Sequence, residues 1–98
     1  MTAPADVLVY TTTYCPYCVR AKALLDKKGA SYTEVECTER PEVRDWLVEA
    51  SKQRTVPQVF INGRSVGGFS DLAALEKAGG LDALLAEAPE PDAPPMPR

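Results

Sequence analysis

The chain reads as one α/β domain built on a four-stranded mixed β-sheet flanked by helices on both faces. Three features of its 98 residues predict this. A helical pattern separates two strand-like runs, Asp6–Thr11 and Ser31–Glu36, which makes a βαβ unit with parallel strands and a right-handed crossover. Two further runs, Pro57–Ile61 and Arg64–Gly67, flank Asn62-Gly63, the strongest short hairpin signal, so these two strands are antiparallel. Amphipathic helical patterns follow the second and fourth strands, which gives the order β-α-β-α-β-β-α with no internal repeat.

Each element has a local reason. Asp-Val-Leu-Val-Tyr-Thr at 6–11 is β-branched and apolar without strict alternation, as a central strand covered on both faces would be. Pro16 suits a first helical turn, where its missing N–H costs nothing. The helix it opens runs to about Lys28, with Ala21, Leu24 and Leu25 facing inward and Gly29 as a left-handed cap. Thr38 is the expected N-cap of the next helix, and Pro41 is tolerable in its first turn. Val43, Trp46, Leu47 and Ala50 form one face of that helix, a spacing that makes Trp46 a core residue rather than a stacking platform. Pro57 belongs at the start of its strand or at an edge. Ser70 and Asp71 open a helix whose inner face is Leu72, Leu75 and Ala78, and Leu81, Leu84 and Leu85 suggest a short last helix. Residues 1–88 are the expected domain. From Pro89 to Arg98 the proline-rich tail has too few apolar residues to build a core and is expected to be disordered; its Pro91 and Pro94 make a PxxP spacing.

Composition excludes several functions. A net charge of −3 is too weak, and of the wrong sign, for a nucleic-acid binder. No apolar stretch is long enough to span a membrane, and the first residues do not have the basic-then-apolar pattern of a signal peptide, which points to the cytoplasm. The chain has no histidine, so hydrolases that depend on a histidine base are excluded.

The chemistry concentrates in Cys15-Pro16-Tyr17-Cys18. A thiol at the first turn of a helix meets unpaired backbone N–H groups and the positive end of the helix dipole, and these favour the thiolate. Cysteines so placed titrate at about 3.5–7.5. Cys18 lies one turn further on, close enough to form a disulfide with Cys15. The pair reads as an attacking thiolate, Cys15, and a resolving thiol, Cys18. Half of a zinc site is the competing reading, but only Cys37 remains as a further cysteine and no histidine is present, short of four ligands. A structural disulfide fits poorly in a cytosolic chain. Cys37, at the end of the second strand, reads as a packed residue.

Three motifs in this order resemble the signature of dithiol glutaredoxins of the small bacterial type: Cys15-Pro16-Tyr17-Cys18, Thr55-Val56-Pro57, and Gly67-Gly68-Phe69-Ser70-Asp71-Leu72. The resemblance covers about residues 5–86. It implies a thioredoxin fold, glutathione as co-substrate, no tightly bound cofactor and no metal. It also implies a cis Val56–Pro57 bond that turns the Val56 backbone toward Cys15, where the cysteinyl part of glutathione would pair like an added strand. Ser70 and Asp71, at a helix N-terminus, would take the γ-glutamyl group; Gly67 and Gly68 would leave room for it. Tyr17 would line the groove beside Cys15, and Thr55 would lie near the other end of glutathione. Relatives often carry lysine three residues before the first cysteine, where Thr12 stands here. Arg54 is the expected replacement partner for the glycine carboxylate, with Gln53 and Lys52 as alternatives. Phe69 stands where relatives often have a small residue. The implied partners are glutathione and disulfide-containing or glutathionylated proteins, ribonucleotide reductase among the candidates, with the protein acting as a monomer. Two other roles fit the same residues: a hydrogen donor reduced by thioredoxin reductase, and a non-enzymatic scaffold for a glutathione-ligated iron–sulfur cluster.

Overall fold

The structure, a computed structural model, describes residues 5–89 and 96–98. Its elements run β1 (Val7–Thr11), α1 (Pro16–Lys27), β2 (Thr33–Glu36), α2 (Pro41–Ser51), β3 (Gln58–Ile61), β4 (Arg64–Gly67), α3 (Phe69–Lys77) and α4 (Leu81–Ala86). The sheet order is β2-β1-β3-β4. β1 pairs parallel with β2 and antiparallel with β3, and β3 pairs antiparallel with β4. This is the mixed four-stranded sheet that the sequence predicts. All five residues of β1 are buried, in keeping with its central place and its unalternating sequence.

Alternation along β1 and β3 divides the interior in two. Val7, Val9, Val59 and Ile61 join Ala21 and Leu25 of α1, Leu72 of α3 and Leu81 of α4 on one face. Leu8, Tyr10 and Phe60 join Val35, Cys37, and Val43 and Leu47 of α2 on the other. Each fully buried aliphatic side chain contributes about 1.5–3 kcal/mol relative to exposure. Trp46 packs its ring 5.4 Å from both Tyr10 and Phe60, a core role as expected. Asn62 and Gly63 take φ of 53° and 83°, the left-handed pair that a tight hairpin requires.

Four local expectations differ from the structure. Arg40, not Thr38, is the residue at the N-cap of α2, and it supplies no side-chain cap. The Thr38 hydroxyl is engaged elsewhere, with Thr13 and Glu36. Ala50 is exposed, and Ser51 takes the buried position one residue later, its hydroxyl donating to the Leu47 carbonyl at 2.7 Å. Ala78 is exposed at the end of α3 rather than on its inner face. α3 starts at Phe69 with Gly68 as N-cap, one residue before the expected Ser70.

The tail expected to be disordered over 89–98 falls largely outside the described residues, as do Pro91 and Pro94. Its last three residues lie against the fold. Met96 packs on the α2-side core, the Tyr10 hydroxyl donates to the Pro97 carbonyl at 2.8 Å, and the Arg98 guanidinium meets Asp6 at 2.7 Å. A buried phenol needs an acceptor, and the tail supplies one. Burial pushes the Tyr10 phenol up to about 12, with the Arg98 charge pulling the other way.

Candidate active site

β1 and its following loop deliver Cys15 to the start of α1. Cys15 is the N-cap, extended at φ −127° and ψ 94°, and its Sγ accepts from the Cys18 N–H at 3.1 Å. That amide is one of the unpaired donors of the first helical turn, so a thiolate here gains a hydrogen bond together with the helix dipole. Cys15 and Cys18 form a disulfide, with Cα atoms 5.1 Å apart. Cys18 is buried, while Cys15 is half-exposed. A substrate can therefore reach Cys15 and not Cys18, an asymmetry that spacing alone does not give. Cys37 is a free, buried thiol whose Sγ–H donates to the Thr11 carbonyl at 3.2 Å, a packed residue as expected.

The loop entering Cys15 is held from β2. The Thr13 N–H donates to the Thr38 hydroxyl at 2.8 Å, and the Thr13 hydroxyl donates to Glu36 Oε1 at 3.2 Å. The Thr38 N–H and hydroxyl also donate to that Glu36 oxygen. These bonds, from Thr38 first and Thr13 after it, hold the Glu36 carboxyl below its ordinary range. Next to this cluster, burial would raise the Glu34 carboxyl, but hydrogen bonds from Lys22 and Thr11 outweigh it and hold it low. Tyr14, at φ 55°, is 98% exposed, so burial of this residue does not fix the loop.

Beside the disulfide runs a groove of about 250 Å³, lined by Tyr17, Gln53, Thr55, Val56, Pro57, Gly68, Phe69, Ser70 and Asp71. The Val56–Pro57 bond is cis, and the Val56 carbonyl oxygen lies 3.7 Å from Cys15 Sγ. Across the groove stands the start of α3. The Asp71 carboxylate accepts from the Gly68 N–H at 3.1 Å, a one-sided cap because glycine has no side chain to return the bond. A Cβ on Gly67, whose φ is 113°, would collide with the Asp71 carboxylate, so this position needs glycine.

Most of the residues singled out in the sequence thus meet around one cleft. Gly67 stands behind the lining, buried, and shapes it through Asp71. Arg54 is exposed and is not among the lining residues; Gln53, held only as an alternative, is. Phe69 also lines the groove, its ring 6.3 Å from that of Tyr17. Phe69 lies inside the third motif, and Gln53 stands two residues before the second. A larger crevice, about 310 Å³, opens at the far end of β1 between Ala5, Lys28, Ala30 and Leu85 and contains no cysteine.

A β1-delivered cysteine pair at a helix N-terminus, on a four-stranded mixed sheet and facing a cis-proline loop, defines a thioredoxin-fold thiol–disulfide oxidoreductase. The glutaredoxin sequence profile matches residues 7–66. The chain is 52% identical over 79 residues to a glutaredoxin of Pseudomonas aeruginosa, covering 81% of this chain and 94% of that one. It is 47% identical over 81 residues to glutaredoxin 3 of Escherichia coli K12, covering 83% and 98%. Among solved structures, wheat glutaredoxin superposes with a TM-score of 0.79 at 46% identity, over 86% of this chain and 82% of that one. A buckwheat glutaredoxin–glutathione complex superposes with 0.78 at 34% identity, over 83% and 76%. The chain belongs to the glutaredoxin family.

Proposed function

We propose that this glutaredoxin uses glutathione to reduce protein disulfides and protein–glutathione mixed disulfides, with Cys15 as nucleophile and Cys18 as resolving thiol. The observation that carries the reading is the asymmetry of the pair: an accessible Cys15 at the helix N-terminus, and a buried Cys18 whose amide bonds the Cys15 sulfur. The buckwheat neighbour, solved as a complex with glutathione, supports glutathione as the groove's ligand.

The Cys15 thiolate attacks one sulfur of the substrate disulfide, forms a mixed disulfide and expels the other sulfur as a thiolate. With a glutathionylated protein, Cys15 takes up the glutathionyl group, and a second glutathione then releases Cys15 as glutathione disulfide leaves. With a protein disulfide, the Cys18 thiolate attacks the mixed disulfide and closes Cys15–Cys18. Two glutathiones then reopen that bond, so the two electrons gained by the substrate come from two thiols oxidised to one glutathione disulfide. A low thiolate pKa serves Cys15 both as nucleophile and as leaving group. The potential should fall in the range characteristic of glutaredoxins, about −200 to −230 mV.

In the groove, the Val56 backbone would pair with the cysteinyl part of glutathione. The α3 N-terminus at Ser70 and Asp71 would receive the γ-glutamyl end, with Gly67 and Gly68 leaving it room. Tyr17, Thr55 and Pro57 would form the walls. Gln53, which lines the groove where Arg54 does not, is the better candidate for the glycine carboxylate. No helix of the described residues is long and apolar enough to cross a membrane. The reading is of a monomeric cytoplasmic enzyme whose domain spans residues 1–88.

The test is Cys18→Ser. Deglutathionylation should survive, because it needs only Cys15, while reduction of protein disulfides is lost. Loss of both activities in a folded variant would show that the roles are misassigned.

A further inference from the structure

We propose that Gln58 is a positioning residue that sets which end of the Gln53 side-chain amide faces the groove. Gln58 is fully buried at the start of β3, opposite Tyr10 and ahead of Val59, Phe60 and Ile61. An amide in such a place is costly unless it is hydrogen-bonded. Its bonding is lopsided. Nε2 reaches the Thr55 carbonyl at 2.9 Å, Gln53 Oε1 at 3.2 Å and, marginally, the Thr55 hydroxyl at 3.5 Å. Oε1 is buried with no partner among the described residues. An apolar side chain would avoid leaving that oxygen unpaired, so the residue's use lies in its donors.

Those donors fix a chain of orientations. The Thr55 carbonyl can only accept, so the end of Gln58 beside it is the NH2. The Gln53 atom facing the same NH2 must then be its oxygen. Gln53 is thereby left with its own NH2 unbound among the described residues, on a side chain that lines the groove. Two N–H donors turned to a groove suit a carboxylate. The same Gln58 amide holds the Thr55 carbonyl, one residue before Val56, so the wall and its donor are set together.

This inference rests on the reading that the groove takes glutathione with its glycine carboxylate toward Gln53. The experiment compares two substrates, a peptide carrying a glutathionyl disulfide and the same peptide carrying glutathione esterified on its glycine carboxylate. The unmodified protein should prefer the free acid by about tenfold in kcat/KM, the effect of one charged hydrogen bond. Gln58→Met should reduce that preference to within about twofold, through a raised KM for the acid with kcat kept. The preference is a ratio within one protein, so partial loss of folded material does not change it. If Gln58→Met does not fold, Gln58→Asn, which keeps a buried amide but withdraws it by one methylene, should give the same loss. A folded variant that keeps the full preference, with both substrates slowed equally or not at all, would make Gln58 merely structural and overturn the proposal. Equal handling of acid and ester by the unmodified protein would instead remove the reading of the groove, and this inference with it.

Discussion

The two walls of the active cleft are held in opposite ways. The wall that carries Cys15 is tied down by an exposed, partly ionised cluster, in which Thr13 bonds Thr38 and Glu36 at the end of β2. The wall made by residues 53–57 is tied down from inside by neutral groups. Gln58 holds Thr55 and Gln53, and the buried Ser51 hydroxyl, itself bonded to Leu47, accepts from the Gln53 N–H at 3.1 Å. Each wall is therefore vulnerable to a different change. Exposed bonds compete with water and respond to pH, whereas buried neutral bonds are costly to break and insensitive to it.

The largest effect should come from the Cys15 wall itself. Cys15→Ser should lower turnover by about a thousandfold or more, because the accessible thiol of the pair is gone. Glutathione should still perturb the amide resonances of Val56, Gly68 and Asp71, since the opposite wall is untouched. Loss of those perturbations would mean that the two walls are not independent.

Next is Ser51→Ala. It leaves the Gln53 N–H without the buried hydroxyl that accepts from it and should cost about 1–3 kcal/mol in a urea titration. Thr38→Val, in the exposed cluster, should cost only about 0.5–1.5 kcal/mol in the same titration, because water replaces much of what is lost. An equal or reversed order would break the distinction between the walls.

The smallest effect is in pH. The Glu36 carboxyl is held below its ordinary value of 4.5 by hydrogen bonds from Thr38 and Thr13. A carboxyl whose pKa falls on folding stabilises the fold above its unfolded pKa and loses that contribution as pH drops through the folded value. The urea midpoint should therefore decline on acidification below about pH 4.5, and Glu36→Gln should shallow that decline while Glu34 keeps its own share. Ser51→Ala should lower the midpoint at every pH without changing its slope.

The sequence made legible whatever depends on local backbone chemistry. The Asn62-Gly63 hairpin, the Pro16 helix start, the Gly29 stop and the central β1 all follow from the conformations that these residues permit or favour. The resemblance of three motifs supplied most of the cleft. What stayed hidden depends on side chains meeting across the fold. Thr38 looked like an N-cap because nothing in its neighbourhood reveals that Thr13 would take its hydroxyl. Arg54 is favoured over Gln53 in the sequence because it directly precedes the Thr55-Val56-Pro57 motif, but adjacency along the chain does not fix which side chain lines the groove, and Gln53 does. Ser51 was passed over for Ala50 because periodicity ranks an apolar residue above a polar one, whereas its hydroxyl can bond the Leu47 carbonyl one turn earlier and be buried. The docking of Met96–Arg98 follows from a buried Tyr10 hydroxyl that needs an acceptor, a requirement visible only once Tyr10 is known to be inside.

Whether glutathione is the reductant is read from the regeneration of the oxidised protein. The Cys15–Cys18 disulfide form is supplied with NADPH and either glutathione plus glutathione reductase or thioredoxin reductase alone, and NADPH consumption is recorded. Rapid consumption with glutathione and little with thioredoxin reductase is the predicted result. Consumption with thioredoxin reductase alone, and none with glutathione, would contradict it and make the protein a thioredoxin-like donor on a glutaredoxin framework.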